Sequence, residues 1–189
     1  MKTVIVALFG PSGAGKSFLV NEVCKISEKS YSPRERINKI IPVTTRPKRE
    51  GETDGDPYYF TTVPEFTSKL LDHSLIEATE FNGWFYGTDK NYIKENAINI
   101  GAFNPSAIEC LLEDKNYVVL PFYIKTNDKK RLMSALRREE DPNCKEICRR
   151  FLADEKDFLN IDFEYFSFFN NFIYKSAGKL YNEILECIK

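Results

Sequence analysis

The chain has 189 residues, of which 42% are hydrophobic and 29% charged, with a formal net charge of -1. That length and mixture suit one packed α/β domain with an insertion or two, and they exclude a disordered chain. The near-neutral charge argues against a general nucleic-acid or membrane-surface binder, which needs an excess of cations facing phosphate.

The first residues read MKTVIVALFGPSG. One lysine and a short apolar run superficially match a secretory leader. No small-residue cleavage site follows, so residues 3–9 are predicted to be a strand buried on both faces, running into a phosphate loop. No stretch reaches the ~18 apolar residues of a membrane span. Phe18, Leu19, Val23 and Ile26 fall at helical spacing, predicting a helix over 16–29. An irregular region opens at Pro33, followed by a short strand at 40–43, a helix at 64–71 and a strand at 75–80. FNGWFYGT (81–88) is rich in turn residues, and 90–95 reads as helical. A second core strand is expected at 97–100, a helix at 106–113 and a third core strand at 117–125. A charged helical stretch then covers 128–157, interrupted near EEDPN, with a last strand at 172–174 and a closing helix at 177–188. Strands alternating with helices indicate a parallel sheet covered on both sides.

The five cysteines (Cys24, Cys110, Cys144, Cys148, Cys187) are scattered and odd in number. Cys144 and Cys148 lie four apart, but no second Cys/His pair completes a zinc site, so reduced thiols in the cytoplasm are expected. His73 has no visible acid-base partner and reads as a surface or capping residue.

Gly10-Pro11-Ser12-Gly13-Ala14-Gly15-Lys16-Ser17 fits G-x-x-x-x-G-K-[ST], directly after a predicted strand and before a predicted helix. Glycine tolerates the backbone angles that turn successive N–H groups toward one anion, and the helix N-terminus adds partial positive charge. Lys16 would reach the outer phosphates and the Ser17 hydroxyl would ligate Mg²⁺. The motif specifies a bound triphosphate but not a reaction.

The next unusual stretch is TTRPKREGETDGDPYYF, residues 44–60, with three cations, four anions, two glycines and three aromatics and neither common apolar period. Arg46 and Arg49 lie three apart and can fork onto one phosphate, while Tyr58 and Tyr86 can add hydroxyl donors. In IEATEFNGWFYGT, Glu77 offers a carboxylate that only accepts hydrogen bonds. The guanine edge presents two donors, N1–H and the exocyclic amine, whereas adenine presents an acceptor at N1. Thr88 can donate to guanine O6.

These three motifs, in this order and spacing, resemble the guanylate kinases, closely so over residues 3–90. The resemblance implies a P-loop three-layer α/β/α fold with a parallel core sheet, an inserted monophosphate-binding subdomain and a helical lid. The whole chain, 1–189, would be one domain, with core segments 1–33, 89–127 and 157–189, a monophosphate-binding subdomain at 34–88 and a lid at 128–156. It implies phosphoryl transfer from ATP to GMP or dGMP with Mg²⁺, in a cytoplasmic monomer or homodimer that binds neither nucleic acid nor membrane. Gly10 through Ser17 would bind ATP. Arg46, Arg49, Tyr58 and Tyr86 would hold the acceptor phosphate, with Glu77, Gly87 and Thr88 at the base. Lys16 and Arg46, with lid arginines from the set Arg131, Arg137, Arg138, Arg149 and Arg150, would act on the transferring group; for Arg149 and Arg150 the plain alternative is i,i+4 pairing such as Glu146 with Arg150.

The chain departs from the family pattern in two places. Pro42 and Val43 stand where the family carries a serine against the base. Asn99 and Gly101 stand where carboxylates support metal and nucleotide, so Asn99 would keep part of the hydrogen bonding there but none of the charge. Two alternatives follow: a kinase of another small phosphate ester, and a non-catalytic binding module. The intact phosphate loop with Lys16 disfavours the second.

Overall fold

A computed structural model describes residues 2–48, 51–81, 83–137, 143–170 and 173–189. In chain order its strands and helices are β1 (Thr3–Phe9), α1 (Lys16–Glu28), β2 (Ile37–Lys39), β3 (Val43–Thr44), β4 (Tyr59–Phe60), α2 (Val63–Leu71), β5 (Leu75–Phe81) and β6 (Trp84–Asp89). There follow β7 (Ile98–Ala102), α3 (Pro105–Glu113), β8 (Tyr117–Lys125), α4 (Asp128–Leu136), α5 (Cys144–Asp157), β9 (Phe166–Phe169) and α6 (Ile173–Ile188).

The seven residues of β1 are all buried, which requires cover on both faces. Val4, Val6 and Leu8 pack with Leu19, Val20 and Val23 of α1 and Leu180 and Ile184 of α6. Ile5, Ala7 and Phe9 point the other way, into a layer with Ala107, Ile108 and Leu111 of α3. The core sheet between these layers runs β2-β7-β1-β8-β9, all parallel, so the chain is a three-layer α/β/α sandwich. A second, four-stranded sheet, β4-β3-β6-β5, is formed within residues 43–89. No helix among the described residues is long and apolar enough to cross a membrane.

The structure places β6 in the stretch expected as turns and β2 in the region expected as irregular, and it revises three further expected elements. The strand expected at 40–43 is divided between the two sheets. Ile40 still donates to Ile100 O in the core sheet, but Pro42 has no N–H to continue the ladder, and its carbonyl accepts from Tyr59 in the second sheet. The helix expected at 90–95 is a single 3-10 turn, Lys90–Tyr92, capped by Asp89 and followed by Asn96 in the left-handed region (φ 53°). The last strand lies at Phe166–Phe169, with Phe168 in the core, while residues 173 and 174 of the expected strand open α6 and residue 172 lies outside the described residues. His73 is an exposed left-handed residue (φ 58°) at the end of α2, as expected of a surface position.

Asn99 lies within β7 and is fully buried. Its amide nitrogen donates to Lys94 O (2.9 Å), Val4 O (3.3 Å) and Ala97 O (3.3 Å), and its oxygen accepts from Lys94 N (2.9 Å) and Asn38 Nδ2 (3.0 Å). Every one of these partners belongs to the framework. Asn99 therefore joins β7 to its neighbours.

Candidate active site

The phosphate loop leaves β1 at its carboxyl end and enters α1. Gly10, Gly13 and Gly15 have φ of 134°, 77° and 88°, the region that side chains rarely adopt. Space forbids a side chain as well. A Cβ on Gly10 would lie 2.7 Å from Ile124 O of β8, and one on Gly13 would lie 2.8 Å from Arg131 O of α4. Gly10→Ala should therefore lower stability by about 1–3 kcal/mol through strain and steric shift. Thermal unfolding would measure that cost, and an unchanged midpoint would mean the loop is not held this tightly. The first turn of α1 contains no acidic residue, so its positive end faces the loop unopposed. Lys16 Nζ donates to Gly10 O (2.6 Å) and Pro11 O (3.0 Å), which lays the ammonium along the loop.

Distant residues fix the loop from outside. Ser12 N–H and Oγ donate to the Asp154 carboxylate (2.8 and 3.2 Å), and Asn170 Nδ2 donates to Ala14 O (2.9 Å). Arg131, grouped with the lid arginines on sequence, is instead 7% exposed. It donates to Ser12 O (3.0 Å), Asp154 (2.6 Å) and Asp128 (2.7 Å), with its guanidinium 4.3 Å from the Phe151 ring centre. Arg131 is thus a clamp between α4, α5 and the loop. Asp154→Ala would leave a buried guanidinium without its main partner, and a loss of about 3 kcal/mol in unfolding free energy is expected. A denaturant midpoint equal to wild type would contradict the clamp.

Arg149 and Arg150 both engage Glu146, at 2.7 and 2.9 Å, so the plain i,i+3 and i,i+4 pairing is realised on α5. Hydrogen bonds from Arg149 and then Arg150 hold the Glu146 carboxyl down to about 2. Arg150 also lines a cavity of about 60 Å³ with Ser12, Gly13 and Phe151, next to the phosphate loop. Arg137 is exposed at the end of α4. Arg49 and Arg138 lie outside the described residues.

The other half of the site is built on the second sheet. Thr44 Oγ1 donates to Phe85 O (2.9 Å) and accepts from Arg46 N (3.1 Å), which turns the chain so that Arg46 packs inward. Arg46 is 6% exposed. Its Nη2 meets both oxygens of Glu52 (2.9 and 2.8 Å), Nη1 donates to Pro47 O (2.7 Å), and the Tyr58 and Phe60 ring centres lie 5.6 and 5.5 Å away. The Tyr58 and Tyr86 rings meet edge to face at 5.7 Å. Arg46, Tyr58 and Tyr86 therefore form one cluster, as the sequence expects, with Glu52 added as an anchor that spacing alone did not reveal.

Glu77 and Thr88 face each other across β5 and β6, with the Thr88 hydroxyl donating to Glu77 Oε1 (3.0 Å). Gly87 allows the close approach, because a Cβ there would lie 2.7 Å from Glu77 O. Burial pushes the Glu77 carboxyl up to about 7, an effect that the Thr88 hydrogen bond partly offsets.

Between the halves lies a cavity of about 120 Å³ whose lining includes Ser17 of α1 and Tyr58 of the acceptor loop. A Cβ at Gly101 would lie 2.8 Å from the Phe103 ring, so an aromatic side chain fills the space where a carboxylate at 101 would project.

A family model described as guanylate kinase matches residues 1–186. The chain belongs to the guanylate kinase family. Two curated guanylate kinases, from Streptococcus agalactiae and Oceanobacillus iheyensis, are each 33% identical to it, over 92 and 98 residues. Those alignments take in 49% and 52% of this chain, and the chain spans only 41% and 44% of the length of these relatives. The crystal structure of guanylate kinase from Anaplasma phagocytophilum shares the fold, with a TM-score of 0.68 at 21% identity over 98% of this chain and 86% of that one. The pairwise alignments to these two relatives thus take in about half of the chain, while the family model and the likeness of fold extend over almost all of it.

Proposed function

We propose that this guanylate kinase family member transfers the γ-phosphoryl group of ATP to GMP or dGMP, giving ADP and the guanosine diphosphate. The observation that carries the reading is the shared cavity. Ser17, at the phosphate-loop end of α1, and Tyr58, in the Arg46 cluster, line one space, so donor and acceptor phosphates would meet there. An oxygen of the acceptor phosphate attacks the γ-phosphorus in line. The bond from the γ-phosphorus to the β,γ-bridging oxygen breaks, and ADP leaves with that electron pair. No protein nucleophile is required, so the chain contributes position, charge and exclusion of water. Gly10 through Ser17 hold the ATP phosphates with main-chain N–H groups, and Lys16 exchanges its carbonyl partners for the outer phosphates. Arg46, Tyr58 and Tyr86, together with Arg49, aim the acceptor. Glu77 accepts from guanine N1–H and the exocyclic amine, which frees the Thr88 proton for O6.

The residues present fit Mg²⁺ in a limited way. Among the described residues no group of three or more His, Cys, Asp or Glu could hold a metal ion, so Ser17 would be its protein ligand and phosphate oxygens and water the rest. Bound there, the ion neutralises charge on the phosphates. Residues 34–88 act as the monophosphate-binding unit and 128–156 as the lid, with Arg138, Arg149 and Arg150 reaching the transferring group on closure. Five free thiols suit the cytoplasm.

A coupled assay of ADP release across GMP, dGMP, AMP, UMP and ribose phosphates tests the reading. Turnover confined to the guanine monophosphates is expected. Turnover of another acceptor with none for GMP or dGMP would overturn it, and would favour a kinase of a different phosphate ester, the reading to which the Phe103-filled space at Gly101 gives some weight.

A further inference from the structure

The cavity between the two halves contains a charge that the proposed reaction has not yet used. Lys39 ends β2 on the same face as buried Ile37, beneath α1, and lines the cavity with Ser17, Asn21 and Tyr58. Its register places it opposite Ile100, which pairs in turn with Val6 of β1. Lys39 is thus the last residue of β2, level with the middle of β7 and β1, and it reaches the cavity from the carboxyl end of its own strand. Among the described lining residues, Lys39 is the one cation and Asp56 the one anion.

These two form a loose pair. Lys39 Nζ lies 3.4 Å from Asp56 Oδ1, and the side chains are 29% and 73% exposed. An ion pair that open to water holds its partners weakly and exchanges readily. The Arg46 pair is different: bidentate at 2.8 and 2.9 Å, buried, and already balanced by Glu52. A phosphate dianion entering the cavity needs positive charge that can be released to it. Arg46 is fixed and largely neutralised, while Lys39 sits on a flexible stem beside a carboxylate that can return to solvent at small cost.

We propose that Lys39 is a phosphate-contacting residue of the acceptor site, leaving Asp56 for an oxygen of the acceptor monophosphate when it binds. This rests on the reading of the site as a nucleoside monophosphate kinase. Asp56 then acts as a placeholder that keeps the ammonium over the cavity until the phosphate arrives. Charge-assisted contacts of this kind change affinity by roughly tenfold or more.

The test compares wild type with Lys39→Met, Lys39→Arg and Asp56→Asn, using calorimetric titration with GMP and with guanosine, which lacks the phosphate. Lys39→Met should weaken GMP binding roughly tenfold or more and leave guanosine unchanged. Lys39→Arg should restore most of the loss. Asp56→Asn, which breaks the pair but keeps the ammonium, should bind GMP at least as well as wild type. Two results would overturn the assignment: Lys39→Met binding GMP as wild type does, or Asp56→Asn weakening GMP as much as Lys39→Met, which would make the pair a structural latch. Turnover is scored separately on wild type. Its absence would count against the kinase reading, whereas normal turnover with unaltered Lys39→Met binding would count against this assignment alone.

Discussion

Replacing Lys16 with Met should reduce phosphoryl transfer by ~10²–10³-fold while leaving the fold intact. Lys16 Nζ rests on two carbonyls of its own loop, Gly10 O and Pro11 O, and the side chain is only partly buried. Losing those two bonds should cost about 1–3 kcal/mol, less than the whole stability of an ordinary domain. Losing the charge is another matter. The transferring group spreads negative charge over its oxygens, and a preorganised cation beside them acts most strongly where water has been excluded. Steady-state rates together with a thermal melt separate the two effects. A variant with wild-type turnover would remove Lys16 from the mechanism, and a variant that fails to fold would show that its loop contacts matter more than the structure indicates.

The second large effect concerns Glu77 and carries a pH signature. A carboxyl held up to about 7 by burial is half protonated near neutrality. Its protonated form presents an O–H where guanine presents N1–H, so two donors confront each other. The affinity for GMP should therefore fall as pH drops below about 7, approaching tenfold per pH unit. Glu77→Ala should lower kcat/KM for GMP by ~10²-fold or more, because it leaves both guanine donors unpaired in a dry site. Glu77→Gln should remove the part of the pH dependence that belongs to this group. The linkage to folding has a definite sign. The folded-state value lies above the ordinary carboxyl value of 4.5, so the stability linked to this proton is present below about 4.5 and is lost as pH rises through about 7. Glu77→Gln should then be the more stable protein at pH 8 and have no such advantage at pH 4. A flat GMP affinity profile in wild type between pH 6 and 8 would contradict the placement of the base against Glu77.

The parts of this molecule that could be read from sequence are those whose cause is local. The phosphate loop shows itself because three left-handed glycines, a lysine and a serine occupy fixed places in eight residues. The Glu77 and Thr88 pair was placed at the base by the family resemblance, and only the structure shows the hairpin of β5 and β6 that brings the two side chains together. Asp154 gave no such signal: it meets Ser12 across 142 residues of chain, and on α5 it looks like one more charge in a solvated face. Arg131 was grouped with the other arginines of its charged stretch for the same reason, since nothing nearby in sequence tells a buried guanidinium from an exposed one. Pro42 is a mixed case. Its missing N–H is visible in sequence, but that this would divide one strand between two sheets depends on Tyr59, which arrives from elsewhere. Asn99 is legible in sequence as a departure from the family pattern, but that its hydrogen bonds go to the sheet and to the turn at Lys94 is not.

All of this depends on the phosphate loop and the Arg46 cluster opening onto one space, so that a single phosphate chain can touch both. The most direct measurement is titration with adenosine and guanosine joined 5′ to 5′ through an oligophosphate bridge, compared with ATP and GMP separately. If the two cradles face each other, the joined molecule gains the effective concentration of its own second half and binds ~10²-fold tighter than either nucleotide. If it binds no tighter than the better of the two, the cradles do not share a cavity, and phosphate cannot pass between them.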